Sequence, residues 1–246
     1  MYNPFSLQGK TIMITGGSSG IGRATAIECS KMGATLVLVA RNEERLQQTM
    51  ADLSGEGHTY MVADLCKEED VIRLAESCPA LDGLLSNVGI NLMKPVAFYT
   101  EKLLNSVFGT NTFAPMLLNR WLLKKKKLKA GASVVFTSSI AAFLSGFGNG
   151  MYGASKAALT TYMRYFAQEM ADKRIRANAV HPAMVETPLI RGGAVSEADL
   201  AADKAKYPMG RYGRPEEIAW AIIYFLSDAS SWTTGASLTI DGGRFL

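Results

Sequence analysis

The chain of 246 residues reads as a single α/β domain, a mostly parallel sheet with helices on both faces. Three observations predict this. Short apolar runs alternate with longer stretches of helical period from end to end. A glycine-rich turn closes the first apolar run and opens the first helical stretch. No proline–glycine linker, shift of composition or internal repeat divides the chain, so residues 1–246 form one domain.

The elements follow in order. Thr11 to Thr15 (TIMIT) predicts a buried strand, ended by Gly16-Gly-Ser-Ser-Gly20-Ile-Gly22, and a helical pattern then runs to about Met32. Thr35 to Ala40 (TLVLVA) is a second buried strand. Asn42 to Leu53 reads as a polar helix with Asn42 in the capping position. His58 to Val62 is the third strand, followed by Asp64 and a helix over Glu68 to Ser77. Leu81 to Ser86 is the fourth and ends at Asn87-Val-Gly89. A long helix covers Thr100 to Leu123, and Ser133 to Thr137 is the fifth strand, delivering Ser138-Ser139. A second long helix spans Met151 to Lys173. Ile175 to Val180 is the sixth strand, and His181 to Arg214 is a loop with a weakly helical middle. Pro215 to Leu226 is a helix with proline in its first turn. Ser237 to Ile240 is the seventh strand, closed by Asp241-Gly-Gly243.

Composition narrows the function. A hydrophobic share of 48% with 20% charged residues describes an ordinary globule. The net charge of +4 is too small to argue for nucleic acid, yet suits anionic small ligands. Cys29, Cys66 and Cys78 are odd in number and lack metal-type spacing, so free thiols in a reducing compartment and no metal site are expected. Met1 to Lys10 lacks a signal-peptide pattern, and the longest apolar run, Ala219 to Leu226, is too short to span a bilayer. The expectation is a cytoplasmic protein with no membrane partner. The lysines at 124–127 and 129 fall between a helix and a strand, where cations suit a helix C-terminus better than a binding patch.

Gly16, Gly20 and Gly22 allow a tight turn and close backbone approach to a pyrophosphate. The helix start then faces it with unpaired N–H groups. Where many dinucleotide folds place an acid for the ribose 2′-hydroxyl, the second strand here ends in Ala40-Arg41-Asn42. The fork of Arg41 suits a 2′-phosphate, with Arg23 available to assist, which favours NADP(H) over NAD(H).

Tyr152 and Lys156 stand one helical turn apart on one face. Alone, such a pair is usually surface decoration. A nearby cation favours phenolate, and bringing a tyrosine to work at neutral pH takes roughly 4 kcal/mol of differential stabilisation. A tyrosine tuned this way gives a proton to a carbonyl oxygen or takes one from an alcohol.

On these motifs the chain resembles a classical short-chain dehydrogenase/reductase, including its 3-oxoacyl-[acyl-carrier-protein] reductase-like members. Thr15 to Gly22 matches the cofactor motif, and Ser139, Tyr152 and Lys156 match the catalytic spacing. Asn111 lies where the family has its fourth catalytic residue. Asp64-Leu65 resembles the adenine-lining segment, and Asn87-Val88-Gly89 the fourth-strand motif, with valine for the usual alanine. His181-Pro182-Ala183 stands where Pro-Gly is usual. The likeness runs from about residue 8 to 243.

The resemblance implies a Rossmann-type, doubly wound sheet of seven strands. It implies cofactor contacts from Gly16, Ser18, Ser19, Gly20, Ile21, Gly22, Arg41, Asp64, Leu65, Asn87, Val88, Gly89, Tyr152, Lys156, Pro182, Val185 and Thr187. Ser139 would bind the substrate oxygen, Tyr152 would pass the proton, Lys156 would hold the nicotinamide ribose and lower the tyrosine pKa, and Asn111 would hold a relay water. Leu92, Met93, Phe143, Leu144, Phe147, Met151 and Met184 offer a mostly apolar pocket, with a lid over about 188–212. The expected substrate is a neutral ketone or secondary alcohol, free or carried on an acyl-carrier protein met by Arg191, Lys204 and Lys206. A polyol, sugar or steroid alcohol dehydrogenase is the alternative within enzymes, and a non-catalytic dinucleotide-binding regulator the alternative outside them. The family commonly forms homotetramers through the two long helices and the C-terminal strand and helix, which the apolar Phe245-Leu246 would suit.

Overall fold

A computed structural model describes residues 2–188 and 197–245. Seven strands form one sheet: β1 Thr11–Thr15, β2 Thr35–Ala40, β3 Thr59–Val62, β4 Leu81–Ser86, β5 Leu128–Thr137, β6 Arg176–Pro182 and β7 Ser237–Ile240. Their order is β3-β2-β1-β4-β5-β6-β7, and every neighbouring pair is parallel. The order reverses between β1 and β4, which opens a crevice at the C-terminal ends of the strands.

Strand alternation builds two cores. Met13 of β1 faces one, while its neighbours Ile12 and Ile14 face the other. The first core is covered by α3 Glu68–Ser77, α5 Ala114–Lys124 and α6 Gly150–Glu169, through Leu74, Leu118, Leu122, Leu159 and Met163. The second is covered by α1 Gly20–Lys31, α2 Glu43–Ala51 and α8 Pro215–Leu226, through Ala26, Leu46, Ile218 and Ile222. Asn42 caps α2, its side-chain oxygen accepting the Arg45 N–H at 2.8 Å. A short α7, Glu197–Lys204, lies in the long loop, and residues 189–196 of the lid expected over 188–212 fall outside the described residues.

Three boundaries depart from expectation. The helix predicted over Thr100 to Leu123 is α4 Glu101–Phe108 and α5, joined by a π-helical turn over Gly109–Phe113. Pro115 lacks the N–H that an unbroken α-helix would send to the Asn111 carbonyl, and Ala114 bonds instead to Gly109 O, five residues back. β5 starts five residues early because Leu128 pairs with Leu81 ahead of an irregularity in the ladder. The second long helix ends at Glu169, and a 3₁₀ turn completes the stretch.

The lysine run lies at the end of α5. Lys125 pairs with Glu76, Lys127 donates to Cys78 O and Lys129 pairs with Asp82. No described helix is long and apolar enough to cross a membrane. Among the described residues no cluster of His, Cys, Asp and Glu could hold a metal ion.

Candidate active site

Parallel strands send their C-terminal ends to one edge, so residues scattered along the chain arrive there together. Gly16 follows β1, Arg41 β2, Asp64 and Leu65 β3, Asn87 to Gly89 β4 and Ser139 β5; Pro182 ends β6. Tyr152 and Lys156 stand on the first turns of α6.

The glycine turn is fixed by what is missing. Gly16 and Gly20 take φ of +68° and +53°. A Cβ on Gly22 would run into the Gly16 carbonyl. Thr15 Oγ1 donates to Leu85 O at 3.1 Å and accepts the Asn87 N–H at 2.9 Å, which ties the turn to the end of β4. Ser19 begins α1 without a side-chain cap, and the first turn carries no acid. The helix start therefore keeps its N–H groups and partial positive charge for an anion. Ser18, Ser19 and Gly20 line a cavity of about 360 Å³ together with Arg23 and Arg45. The bare N–H groups and the arginines suit a pyrophosphate, while Glu186 and Glu216 also line the cavity. Ile21 packs toward the second core, and the Thr187 side chain would sit 3.3 Å from a Cβ on Gly20, which brings the chain beyond β6 onto the turn. Val185 is held by a bridge to Gly213.

Arg41 is exposed just past the end of β2. Arg23, expected to assist, is turned to Asp52 at 2.5 Å. Arg45, in the first turn of α2 and lining the cavity, escaped the sequence reading. Asp64 accepts the Cys66 N–H at 3.1 Å, and Leu65 is buried. Both departures from the family pattern are absorbed. Val88 packs against the first core, and Ala183 has no positive φ.

Ser139, Tyr152, Lys156 and Asn111 meet beneath Gly89. A Cβ on Gly89 would lie 3.2 Å from Lys156 Nζ and 3.4 Å from Asn111 Oδ1. Asn111, fully buried on the π turn, accepts the Ile90 N–H at 2.8 Å and donates to Ile90 O at 2.9 Å and Ser155 Oγ at 3.0 Å. Lys156 Nζ donates to Thr137 O at 2.8 Å and lies 5.8 Å from the Tyr152 ring centre. Ser139 Oγ accepts the Ala141 N–H at 3.2 Å, which leaves its own proton free to donate, and the hydroxyl lies near enough to the Tyr152 phenol to pull its pKa down.

The expected lowering of the phenol draws on Lys156 together with a positively charged cofactor ring. The protein's own groups act on it through burial and one hydrogen bond. Burial pushes Tyr152 above its ordinary value, against the smaller downward pull of the Ser139 hydrogen bond. Burial also pulls Lys156 down to about 8. The ammonium is thus the stronger acid of the two, because desolvation acts oppositely on an acid that becomes an anion and on a cation.

Of the expected pocket residues, Met151 is buried packing. Met93, Phe143 and Phe147 are exposed on the loops that follow β4 and β5. The loops after β4 and β5 are joined by the Lys94 N–H to Gly148 O at 2.9 Å and by Asn91 Nδ2 to Asn149 Oδ1 at 3.0 Å. This pairing of two asparagines carried no signal in the sequence.

A family model described as enoyl-(acyl carrier protein) reductase matches residues 16–244. The chain belongs to the classical short-chain dehydrogenases/reductases. This short-chain dehydrogenase/reductase is 32% identical to a tropinone reductase homolog of Arabidopsis thaliana over 97% of its length and 93% of the relative's. It is 30% identical to the 3-oxoacyl-[acyl-carrier-protein] reductase FabG of Rickettsia felis over 98% of both chains. Among solved structures, the Pseudomonas aeruginosa RhlG/NADP active-site complex superposes with a TM-score of 0.92 at 32% identity over the whole of both chains. The chain is therefore an oxidoreductase of this family.

Proposed function

We propose that the enzyme reduces a ketone to a secondary alcohol with NADPH. The observation that carries this reading is the buried Lys156, its Nζ on Thr137 O at 2.8 Å and 5.8 Å from the Tyr152 ring centre, at the edge where Ser139 and the glycine turn lie. A bound dinucleotide would supply hydride to the carbonyl carbon. The Ser139 hydroxyl donates to the carbonyl oxygen and stabilises charge growing there. Tyr152 then gives that oxygen its proton. Lys156, the more acidic partner, is poised to return a proton to the phenolate, and Asn111 stands beside its Nζ on the path toward solvent. The glycine turn, with Asp64, Leu65 and Asn87 to Gly89 on the neighbouring strand ends, would hold the cofactor. Arg45 lining the Ser18–Ser19 cavity, and exposed Arg41 just past the end of β2, support a 2′-phosphate and so NADP(H).

The exposed, apolar Met93, Phe143 and Phe147 on the loops after β4 and β5 support an uncharged substrate. A proton donor aimed at an oxygen favours carbonyl reduction over reduction of a carbon–carbon double bond. A carrier-protein substrate draws less support, since Lys204 is matched with Glu186 and Lys206 with Asp203, and Arg191 lies outside the described residues. Homotetramers are proposed from apolar side chains left exposed on the two long helical stretches, Phe113, Met116 and Tyr165, and near the C-terminus, Trp220, Leu238 and Phe245. Sedimentation of the purified protein tests this.

The deciding experiment is a panel of 3-oxoacyl thioesters, cyclic ketones, steroids and sugars, followed by NADPH oxidation. Turnover of ketones, faster with NADPH than NADH, is expected. Activity confined to polyols or steroid alcohols would move the substrate to the alternative class. Tight dinucleotide binding without turnover of any carbonyl or alcohol would leave a binding protein.

A further inference from the structure

His181 is wholly buried at the end of β6, next to the catalytic strand β5. The β5–β6 ladder runs out here. Ser138 N–H still donates to Val180 O at 2.9 Å, but the next donor on β6 would be Pro182, which has no N–H. The His181 side chain takes over, with Nδ1 3.0 Å from Ser139 O. A carbonyl only accepts, so Nδ1 carries the proton and the ring is the neutral Nδ1–H tautomer. Burial lowers the His181 pKa, and the positive Arg164 and Lys156 add to that, so the ring stays neutral. Its other face lies against Phe143, ring centres 5.1 Å apart. Nε2 is buried without a hydrogen-bond partner. A buried acceptor left unpaired costs stability, so the residue is not explained by stability alone.

These contacts converge on one residue. The Ser139 carbonyl is held by His181, its Oγ by the Ala141 N–H, and the loop beyond it by Phe143 on the imidazole. What remains free is the Ser139 hydroxyl proton. We propose that His181 is a positioning residue that fixes the Ser139 backbone so that the serine hydroxyl, which has one proton to give, is held beside the Tyr152 oxygen and donates it there until a substrate carbonyl takes it instead. The proposal rests on the catalytic reading of Ser139 and Tyr152 given above. His181 touches neither substrate nor cofactor.

The test compares His181→Leu, which removes the donor, with His181→Asn, whose side-chain N–H can occupy the Nδ1 position. The first readout needs no substrate: near-ultraviolet phenolate titration of each protein minus its Tyr152→Phe counterpart gives the Tyr152 pKa. The charged groups near Tyr152 and His181, Lys156 and Arg164, are the same in every protein compared. His181→Leu should raise the Tyr152 pKa because the Ser139 hydrogen bond loosens, and His181→Asn should restore the parent value. The second readout is turnover of the best ketone in the panel. kcat should fall by about tenfold or more in His181→Leu with KM for NADPH unchanged, and recover in His181→Asn. A Tyr152 pKa equal to the parent's in His181→Leu overturns the proposal. So does an Asn variant that melts like the parent yet titrates like the Leu variant. If no ketone is turned over, the reductase reading fails, and the titration still decides whether His181 positions Ser139.

Discussion

The two sides of the crevice are built by opposite means. On the β1–α1 side the chain makes its site by leaving side chains out. Gly16, Gly20 and Gly22 let backbone meet backbone, and the uncapped start of α1 offers bare N–H groups. On the β5–α6 side the chain makes its site by burying polar side chains. Asn111, Ser139 and Lys156 are each under a tenth exposed, and each is tied to a main-chain carbonyl or N–H. A backbone site depends on space and tolerates little added volume. A side-chain site depends on hydrogen bonds and pKa values, and can lose its chemistry while keeping its shape.

Substitutions on the two sides should therefore fail differently. The largest effect is expected from Tyr152→Phe, which removes the proton and keeps the ring. kcat should fall by about a thousandfold with dinucleotide affinity and melting temperature close to the parent's. A variant with near-normal kcat would remove Tyr152 as the acid. Gly22→Ala should act the other way round, because its Cβ meets the Gly16 carbonyl, a backbone atom that cannot swing aside. Displacing the turn should cost about 1–3 kcal/mol and weaken dinucleotide binding, read by fluorescence titration. Unchanged affinity would show that the turn does not hold the pyrophosphate.

Arg41→Asp sharpens the comparison just past the end of β2. Replacing a cation by an anion should repel a 2′-phosphate and shift the NADPH-to-NADH ratio of kcat/KM by about ten- to a hundredfold toward NADH. An unmoved ratio would pass the role to Arg45. The last effect is one of stability, and belongs to the buried side. Lys156 has a folded pKa near 8 against an ordinary value of 10.5, so between those pH values the unfolded chain binds more protons. Stability from this residue is lowest below about pH 8, rises as pH climbs toward 10.5, and is level beyond. Lys156→Met should remove that rise in denaturant melts across the window, while also abolishing turnover. A parent and variant with parallel pH profiles would mean that the ammonium is not buried as described.

The same contrast explains what could be read in advance. The backbone side was legible because glycine spacing after a strand has few other uses, and the position of Arg41 follows from the end of β2. The proposed catalytic residues were legible as a pattern of Ser139, Tyr152 and Lys156, but their burial was not. Burial raises Tyr152 and lowers Lys156, and desolvation is set by the neighbours that fold over a residue. The π turn at Asn111 was hidden in an unbroken helical pattern, with Pro115 the one clue. Met151, expected in the pocket, is instead core.

By itself the sequence determined the alternation of strands and helices, the glycine turn and the family's catalytic spacing. Each is a local pattern of apolar period, missing side chains or helical register. Only the tertiary structure decided that the Lys156 ammonium reaches the Thr137 carbonyl, that Asn111 ties the loop after β4 to α6, and that His181 takes hold of Ser139 where the ladder meets a proline. Those contacts join residues far apart in the chain, and no local period encodes them. They exist because parallel strands carry their C-terminal ends to one edge of the sheet.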